Sequence, residues 1–258
     1  MSEQFSKFNI PQLVTEDDTP VDNIFSEKQQ RLLTEPLYSS WKPNISFLAT
    51  ANVGLFSDIY HEPVVPDMLL SLDVEITEKN WPTEQRSYML WQFGKPPDVV
   101  IEVVSNRIGQ ENTKKMERYA RMRIPYYVIF DPFQELSDDI LNVYALLDLR
   151  RYIKYHQNFL SEIGLGLTLW EGTFEGTSAT WLRWCDEQGH LILTGEERAD
   201  QEKIRADQEK IRADQERVRA DQLEQELQKA QQQSAQEKEQ MEKMAAKLKA
   251  LGIDIDKI

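Results

Sequence analysis

Pro97-Asp98-Val99-Val100-Ile101-Glu102-Val103-Val104-Ser105 is the stretch on which the fold class turns. Val99, Val100, Ile101, Val103 and Val104 are all β-branched, which predicts a strand over Val99–Val104 that is covered on both faces. Glu102 interrupts that apolar run. Side chains alternate along a strand, so Asp98, Val100, Glu102 and Val104 share one face and two carboxylates stand on the same side. An ionised carboxylate buried without a partner is costly. A metal ion, a lysine or a mouth open to water has to offset that cost.

The flanking sequence supplies both neighbours and a cation. Ile45–Ala51, Val64–Leu72 and Tyr126–Phe130 read as further strands, and a helix over about 110–123 joins the last of them to the Glu102 strand. On that helix Glu111, Lys115 and Tyr119 are spaced by four and share a face. Pro66-Asp67 opens the Val64–Leu72 strand with a further acid. Ser26-Glu27-Lys28-Gln29 resembles a capping box, and Leu32, Leu33, Leu37 and Trp41 then define the apolar face of a first helix over about 26–41. Ile140–Leu146, Arg151–Gln157 and His190–Leu193 look like hairpin or edge strands. Thr180–Trp184 carries aromatic groups of the core, the default role also for Trp81, Trp91 and Trp170. The class is α/β or α+β.

Composition narrows the chemistry. Of 258 residues one is cysteine (Cys185) and three are histidine (His61, His156, His190), far apart in sequence, so a zinc site is not expected. There is no G-x-S-x-G elbow and no Gly-rich phosphate loop. The net charge of -14 is concentrated in residues 1–200, with 31 acidic against 18 basic groups, which disfavours sequence-independent nucleic-acid binding over the whole surface. A local basic run is the exception: Arg107, Lys114, Lys115, Arg118, Arg121 and Arg123, opposed only by Glu111 and Glu117. The apolar runs are too short for a membrane helix. MSEQFSKFNI has no charged head followed by an apolar stretch, so a cytoplasmic location is expected.

From Arg198 the heptads RADQEKI, RADQEKI, RADQERV and RADQLEQ follow one another, and no glycine or proline interrupts 196–251. A helix of that length would extend ~84 Å at 1.5 Å per residue. Ala199, Ala206, Ala213 and Ala220 lead into Leu223, Leu227, Ala230, Met241, Met244, Leu248 and Leu251 as one seam. Ile204, Ile211 and Val218, with Gln201, Gln208, Gln215 and Gln222, form a rival seam, so the register stays open. The expected organisation is a domain over 1–195, a coiled-coil helix over 196–251 that makes the chain a homo-oligomer, and a short tail over 252–258.

PPDVVIEVVSN, ENTKKMERYARMRIPYYVIFDP and the later WLRWCDEQGHLILTGEE resemble the Uma-two family of restriction-endonuclease-like proteins, within the PD-(D/E)xK nuclease superfamily. The resemblance covers roughly residues 10–195. It implies a restriction-endonuclease-like mixed sheet flanked by helices, with the long C-terminal helix appended. It also implies a metal-dependent endonuclease that uses Mg2+ or Mn2+ and takes DNA as substrate. Asp67 matches the first acid of the superfamily pattern and Glu102 the second. Val104 occupies the position where that pattern has lysine, and Lys115, four residues before Tyr119, matches a lysine moved to the following helix. Asp98 also matches an acid, so either Asp67 or Asp98 is nearer the metal. Glu27 on the first helix could add another. A second reading stays open: a catalytically inactive nuclease-fold scaffold that acts through its coiled coil.

Overall fold

A computed structural model describes residues 23–75, 87–104, 114–148 and 151–250. The chain forms two compact units, residues 1–198 and 199–258. In the first unit, α1 (Ile24–Ser39) precedes β1 (Phe47–Ala51), β2 (Leu55–Phe56), β3 (Met68–Leu72), β4 (Tyr88–Met89) and the single turn α2 (Leu90–Phe93). Next come β5 (Val99–Val103), α3 (Met116–Arg121), β6 (Tyr126–Phe130), β7 (Leu141–Leu147) and β8 (Arg151–Lys154). The unit continues with β9 (Phe159–Leu160), β10 (Leu165–Phe174) and β11 (Thr177–Cys185), and α4 (Gly195–Ala250) runs into the second unit.

The main sheet has the order β1-β3-β5-β6-β7-β8, and it is mixed. Within it β5 and β6 run parallel, joined through the segment that contains α3; the other neighbours are antiparallel. The mixed α/β architecture implied by the sequence is therefore the one observed. Central β5 is buried at every position. Its alternation separates two cores: Val99, Ile101 and Val103 pack with Leu33, Leu37, Val128, Phe130 and Trp184. Val100 and Val104 pack with Tyr119, Ile124, Tyr127 and Ile129. Trp181 and Trp184 are buried as core aromatics.

Several boundaries move, each for a local reason. The first helix is capped by Asn23, whose Oδ1 accepts from the Ser26 N–H at 2.8 Å, and Ser26 lies buried in the first turn rather than at the cap. The expected strand Val64–Leu72 is reduced to Met68–Leu72, with Val64 making one bridge to Leu55. Pro63 and Pro66 have no N–H to donate there. His190–Leu193 is one bridge, Leu191 to Cys185, rather than a strand. Thr180–Trp184 is part of a long hairpin, β10 with β11, whose turn places Glu175 at φ 44° and Gly176 at φ 75°. Two successive positive φ values suit the right-handed twist of such a hairpin. Residues 105–113, with Arg107 and Glu111, lie outside the described residues, as do Trp81 and Leu251.

Helix α1 is fastened to the hairpin by several side chains, of which Gln29 makes the buried backbone contacts. Gln29 donates from Nε2 to the Leu182 carbonyl at 2.8 Å and accepts the Leu182 N–H at 3.0 Å, while Trp184 Nε1 donates to the Leu33 carbonyl at 2.8 Å. Helix α4 starts with a reciprocal cap: Thr194 Oγ1 accepts the Glu197 N–H at 3.1 Å and Glu197 Oε2 accepts the Thr194 N–H at 2.8 Å. The buried Arg183 holds the same Glu197 with two hydrogen bonds, at 2.6 and 2.7 Å. In the second unit every described position of α4 from 199 to 247 is exposed. No described helix is long and apolar enough to cross a membrane.

Replacing Gln29 by alanine leaves both Leu182 backbone groups buried without a partner, at ~1–3 kcal/mol each. The Gln29→Ala variant is expected to lose about 2–4 kcal/mol in urea denaturation, whereas Glu27→Ala, which removes an exposed ion pair to Arg31, should cost under ~1 kcal/mol.

Candidate active site

The register between β3 and β5 builds the site. Met68 lies across from Ile101 and Leu69 across from Val100, so one further step along the same register sets Asp67 across from Glu102. Directly opposed residues of an antiparallel pair point to the same face. The two carboxyl groups are close enough for the charge of Asp67 to raise Glu102. Asp67 Oδ2 also accepts the Val103 N–H at 2.6 Å, which fixes the carboxyl against the strand.

The second acid is 1 % exposed and is held from α3 and the turn that precedes it. Lys115 Nζ donates to Glu102 Oε2 at 2.8 Å, and the Tyr119 hydroxyl donates to Oε1 at 2.5 Å. Lys115 and Tyr119 reach one carboxylate because they are separated by a single helical turn. The Lys115 side chain remains 28 % exposed, so the cluster opens to solvent at the lysine. Lys114, Arg121 and Arg123 are exposed on the same segment.

Burial pushes the Glu102 carboxyl up to about 8; the Lys115 ammonium opposes the rise and the Asp67 charge adds to it. Burial likewise raises Asp67, against the Val103 N–H, Lys115 and Gln30. The Tyr119 phenol is raised well above its usual value, first by burial and then by the adjacent Glu102. A buried carboxyl beside a half-buried one resists full ionisation of the pair, and one proton or one cation between them relieves it.

Of the expected residues, Asp67, Glu102 and Lys115 come together and Asp98 does not. Asp98 is four residues away on the strand side of Glu102, ~13 Å at 3.3 Å per residue. Its Oδ2 accepts from Lys95 Nζ at 2.6 Å and from the Leu72 N–H at 2.7 Å, so it closes the end of β3 instead. Glu27 is exposed and paired with Arg31. The residue of α1 that does reach the cluster is Gln30, whose Nε2 donates to Asp67 Oδ1 at 2.9 Å. Gln30 Oε1 in turn accepts from Asn52 Nδ2 at 2.9 Å. Asn52 takes the left-handed conformation, φ 53°, which asparagine tolerates better than other side-chain-bearing residues. Sequence reasoning missed Gln30 and Asn52; the only signal was a pair of glutamines on the inner side of an otherwise apolar helix face. Tyr119 was legible as a neighbour of Lys115 but not as a ligand of Glu102.

The donor set suits a hard divalent cation: Asp67 and Glu102 offer adjacent carboxylate oxygens. Among the described residues no group of three or more His, Cys, Asp and Glu side chains surrounds a common point. That is compatible with Mg2+, which commonly takes one or two carboxylates and completes its shell with water and phosphate.

Residues 17–144 match the Uma2 family, described as "Putative restriction endonuclease". A solved structure titled as a "putative nuclease belonging to DUF820 from Anabaena variabilis ATCC 29413" aligns over 55 % of this chain and 72 % of that one, with 16 % identity and a TM-score of 0.37. No curated protein matches the sequence.

The raised acid has a consequence for stability. Glu102 binds its proton more tightly in the folded state (about 8 against a usual 4.5). Its contribution is therefore present at low pH and is lost as pH rises from about 4.5 through about 8. In chelator, the melting temperature of the parent should fall from pH 5 to pH 9 relative to that of Glu102→Gln, which has no charge to bury. Each ~1 kcal/mol of difference is roughly 2–4 °C for a domain of this size. Parallel pH profiles for the two proteins would remove the burial of Glu102 as the cause.

Proposed function

We propose, from the match of residues 17–144 to the Uma2 family model, that the chain hydrolyses nucleic-acid phosphodiester bonds with the help of a divalent metal at the Asp67–Glu102–Lys115 cluster. The observation that carries the reading is the register pairing of Asp67 with Glu102, with the Lys115 amine 2.8 Å from the second acid. Asp67 and Glu102 would hold Mg2+ or Mn2+. The bound ion would neutralise a phosphate oxygen and lower the pKa of a water.

The side chains around it have separable roles. Gln30 and the Val103 N–H orient the two oxygens of Asp67. Tyr119 fixes one oxygen of Glu102 and leaves the other to Lys115. Lys115 lies at the open side, where its ammonium can orient a water or balance the negative charge that develops on phosphorus-bound oxygen. Lys114, Arg121 and Arg123 are exposed on the segment that carries Lys115, with Arg121 paired to Glu117, and would supply a phosphate with local positive charge. The chain would act as an oligomer assembled through its tail.

A second reading rests on its own observation. Val104, at the superfamily's usual lysine position, is buried in the core, and the net charge of -14 opposes nucleic acid. On that reading the fold is a scaffold and the helix is the working part.

Calorimetric titration with Mn2+, alongside cleavage of single- and double-stranded DNA, tests the choice. The parent should bind the ion and cut. Glu102→Gln should do neither while remaining folded, and Lys115→Met should still bind the ion yet cut ~10²-fold more slowly or worse. Cleavage by Glu102→Gln equal to that of the parent would remove the cluster from the reaction. No Mn2+ or Mg2+ binding by the parent would favour the scaffold.

A further inference from the structure

Helix α4 is continuous over Gly195–Ala250, and it exposes an apolar line that no described residue of its own unit covers. Ile204 and Ile211 are each 58 % exposed and Val218 is 55 % exposed. Their spacing of seven keeps them on one side of a supercoiled helix, with Gln201, Gln208, Gln215 and Gln222 completing the seam at alternating steps of three and four. Positions beside such a seam decide who pairs with whom and in which direction.

Those flanking positions are uniform in sign. The residue just before each seam glutamine is acidic: Asp200, Asp207, Asp214 and Asp221. The residue just after each seam aliphatic is basic: Arg205, Arg212 and Arg219. In a parallel pair of helices the first kind of position faces the second kind five residues further along the other chain. Asp200 then faces Arg205 of the partner subunit, Asp207 faces Arg212 of the partner subunit and Asp214 faces Arg219 of the partner subunit. The two-fold relation repeats all three. In an antiparallel pair each kind faces itself, acid against acid and arginine against arginine, which is repulsive. The pattern ends where the heptads end, since Asp221 would face Glu226 of the partner subunit, and Leu223 begins the other seam there.

We propose that α4 pairs with a second copy of this chain as a parallel, in-register coiled coil through residues 200–222, directed by Asp–Arg contacts. This rests on the homotypic association proposed above and adds its direction and register. The glutamines in the seam bury polar amides, which weakens the pairing. A slip of one heptad loses one Asp–Arg contact at one edge, keeps three at the other, and unpairs one of the three layers formed by Ile204, Ile211 and Val218. Association is therefore concentration-dependent and sensitive to salt.

The test uses the full chain with single cysteines at the two ends of the seam, Gln201→Cys and Gln222→Cys; the native Cys185 is buried. Parallel, in-register pairing gives disulfide-linked product from each variant alone and none linking the two variants when they are mixed. Light scattering across the micromolar range runs beside it. Reversing the arginines in one protein (Arg205→Glu, Arg212→Glu, Arg219→Glu) should weaken self-association at least tenfold. Mixing that protein with one carrying Asp200→Lys, Asp207→Lys and Asp214→Lys should restore it. Linked product only from the mixture of Gln201→Cys and Gln222→Cys, or from neither protocol while light scattering still reports an oligomer, overturns the parallel register and leaves association standing. A monomer at every concentration overturns both.

Discussion

Glu102 is a carboxyl placed in the most buried strand of the sheet, and the surrounding structure is what makes that placement tolerable. Lys115 and Tyr119, from the helical segment that follows, offset the burial of the acid, whereas Asp67 across the sheet adds a like charge beside it. Lysine supplies charge and tyrosine supplies a donor, while the neighbouring carboxyl disfavours ionising both acids at once. Asp131, just after β6, offers a contrast. It too is fully buried, yet its oxygens are satisfied by the N–H groups of Glu135, Leu136 and Ser137. Amides complete Asp131 within its own turn, whereas Glu102 depends on ionisable partners from separate elements. That dependence is what makes the Glu102 cluster a place where a cation or a substrate phosphate can change the balance of charge.

Helix α1 joins this cluster to the rest of the first unit through two consecutive glutamines. Gln29 is bound to the Leu182 backbone of β11, and Gln30 is bound to Asp67 and Asn52. Successive helical residues diverge by about 100°, so one helix can grip the hairpin with one side chain and the acid with the next. The aromatic stacking of Phe25 on Trp181, with centroids 4.8 Å apart, adds an apolar contact to the same docking. A glutamine suits this role better than an acid. It donates to Asp67 without adding a further charge to a pair that already resists full ionisation.

Much of the fold was legible because its signals are local. A β-branched run marks β5, the strand Tyr126–Phe130 has the bounds read from its residues, and a stretch without glycine or proline marks α4. Errors came where local signals compete or are weak. Ser26 and Asn23 both qualify as a cap, and only the geometry of the first turn selects Asn23. The β10–β11 hairpin was missed because half its length lies in a sheet with one wet face, where charged and small residues dilute the apolar alternation.

By itself, the sequence determined that a buried strand carries an acid, that a lysine follows on the next helical segment and that a heptad repeat follows the domain, because periodicity and residue type are properties of neighbours in the chain. Only the tertiary structure decided which aspartate meets Glu102. Asp67 and Asp98 are equally plausible acids when read along the chain, and the antiparallel register of β3 against β5 separates them by setting one across from Glu102 and the other at Ser71. Register is a relation between segments about thirty residues apart, and it is fixed by burying the apolar faces of both strands together. The parts played by Gln30 and Asn52 have the same origin. Nothing adjacent to them in sequence mentions Asp67; the packing of α1 over the sheet brings them there.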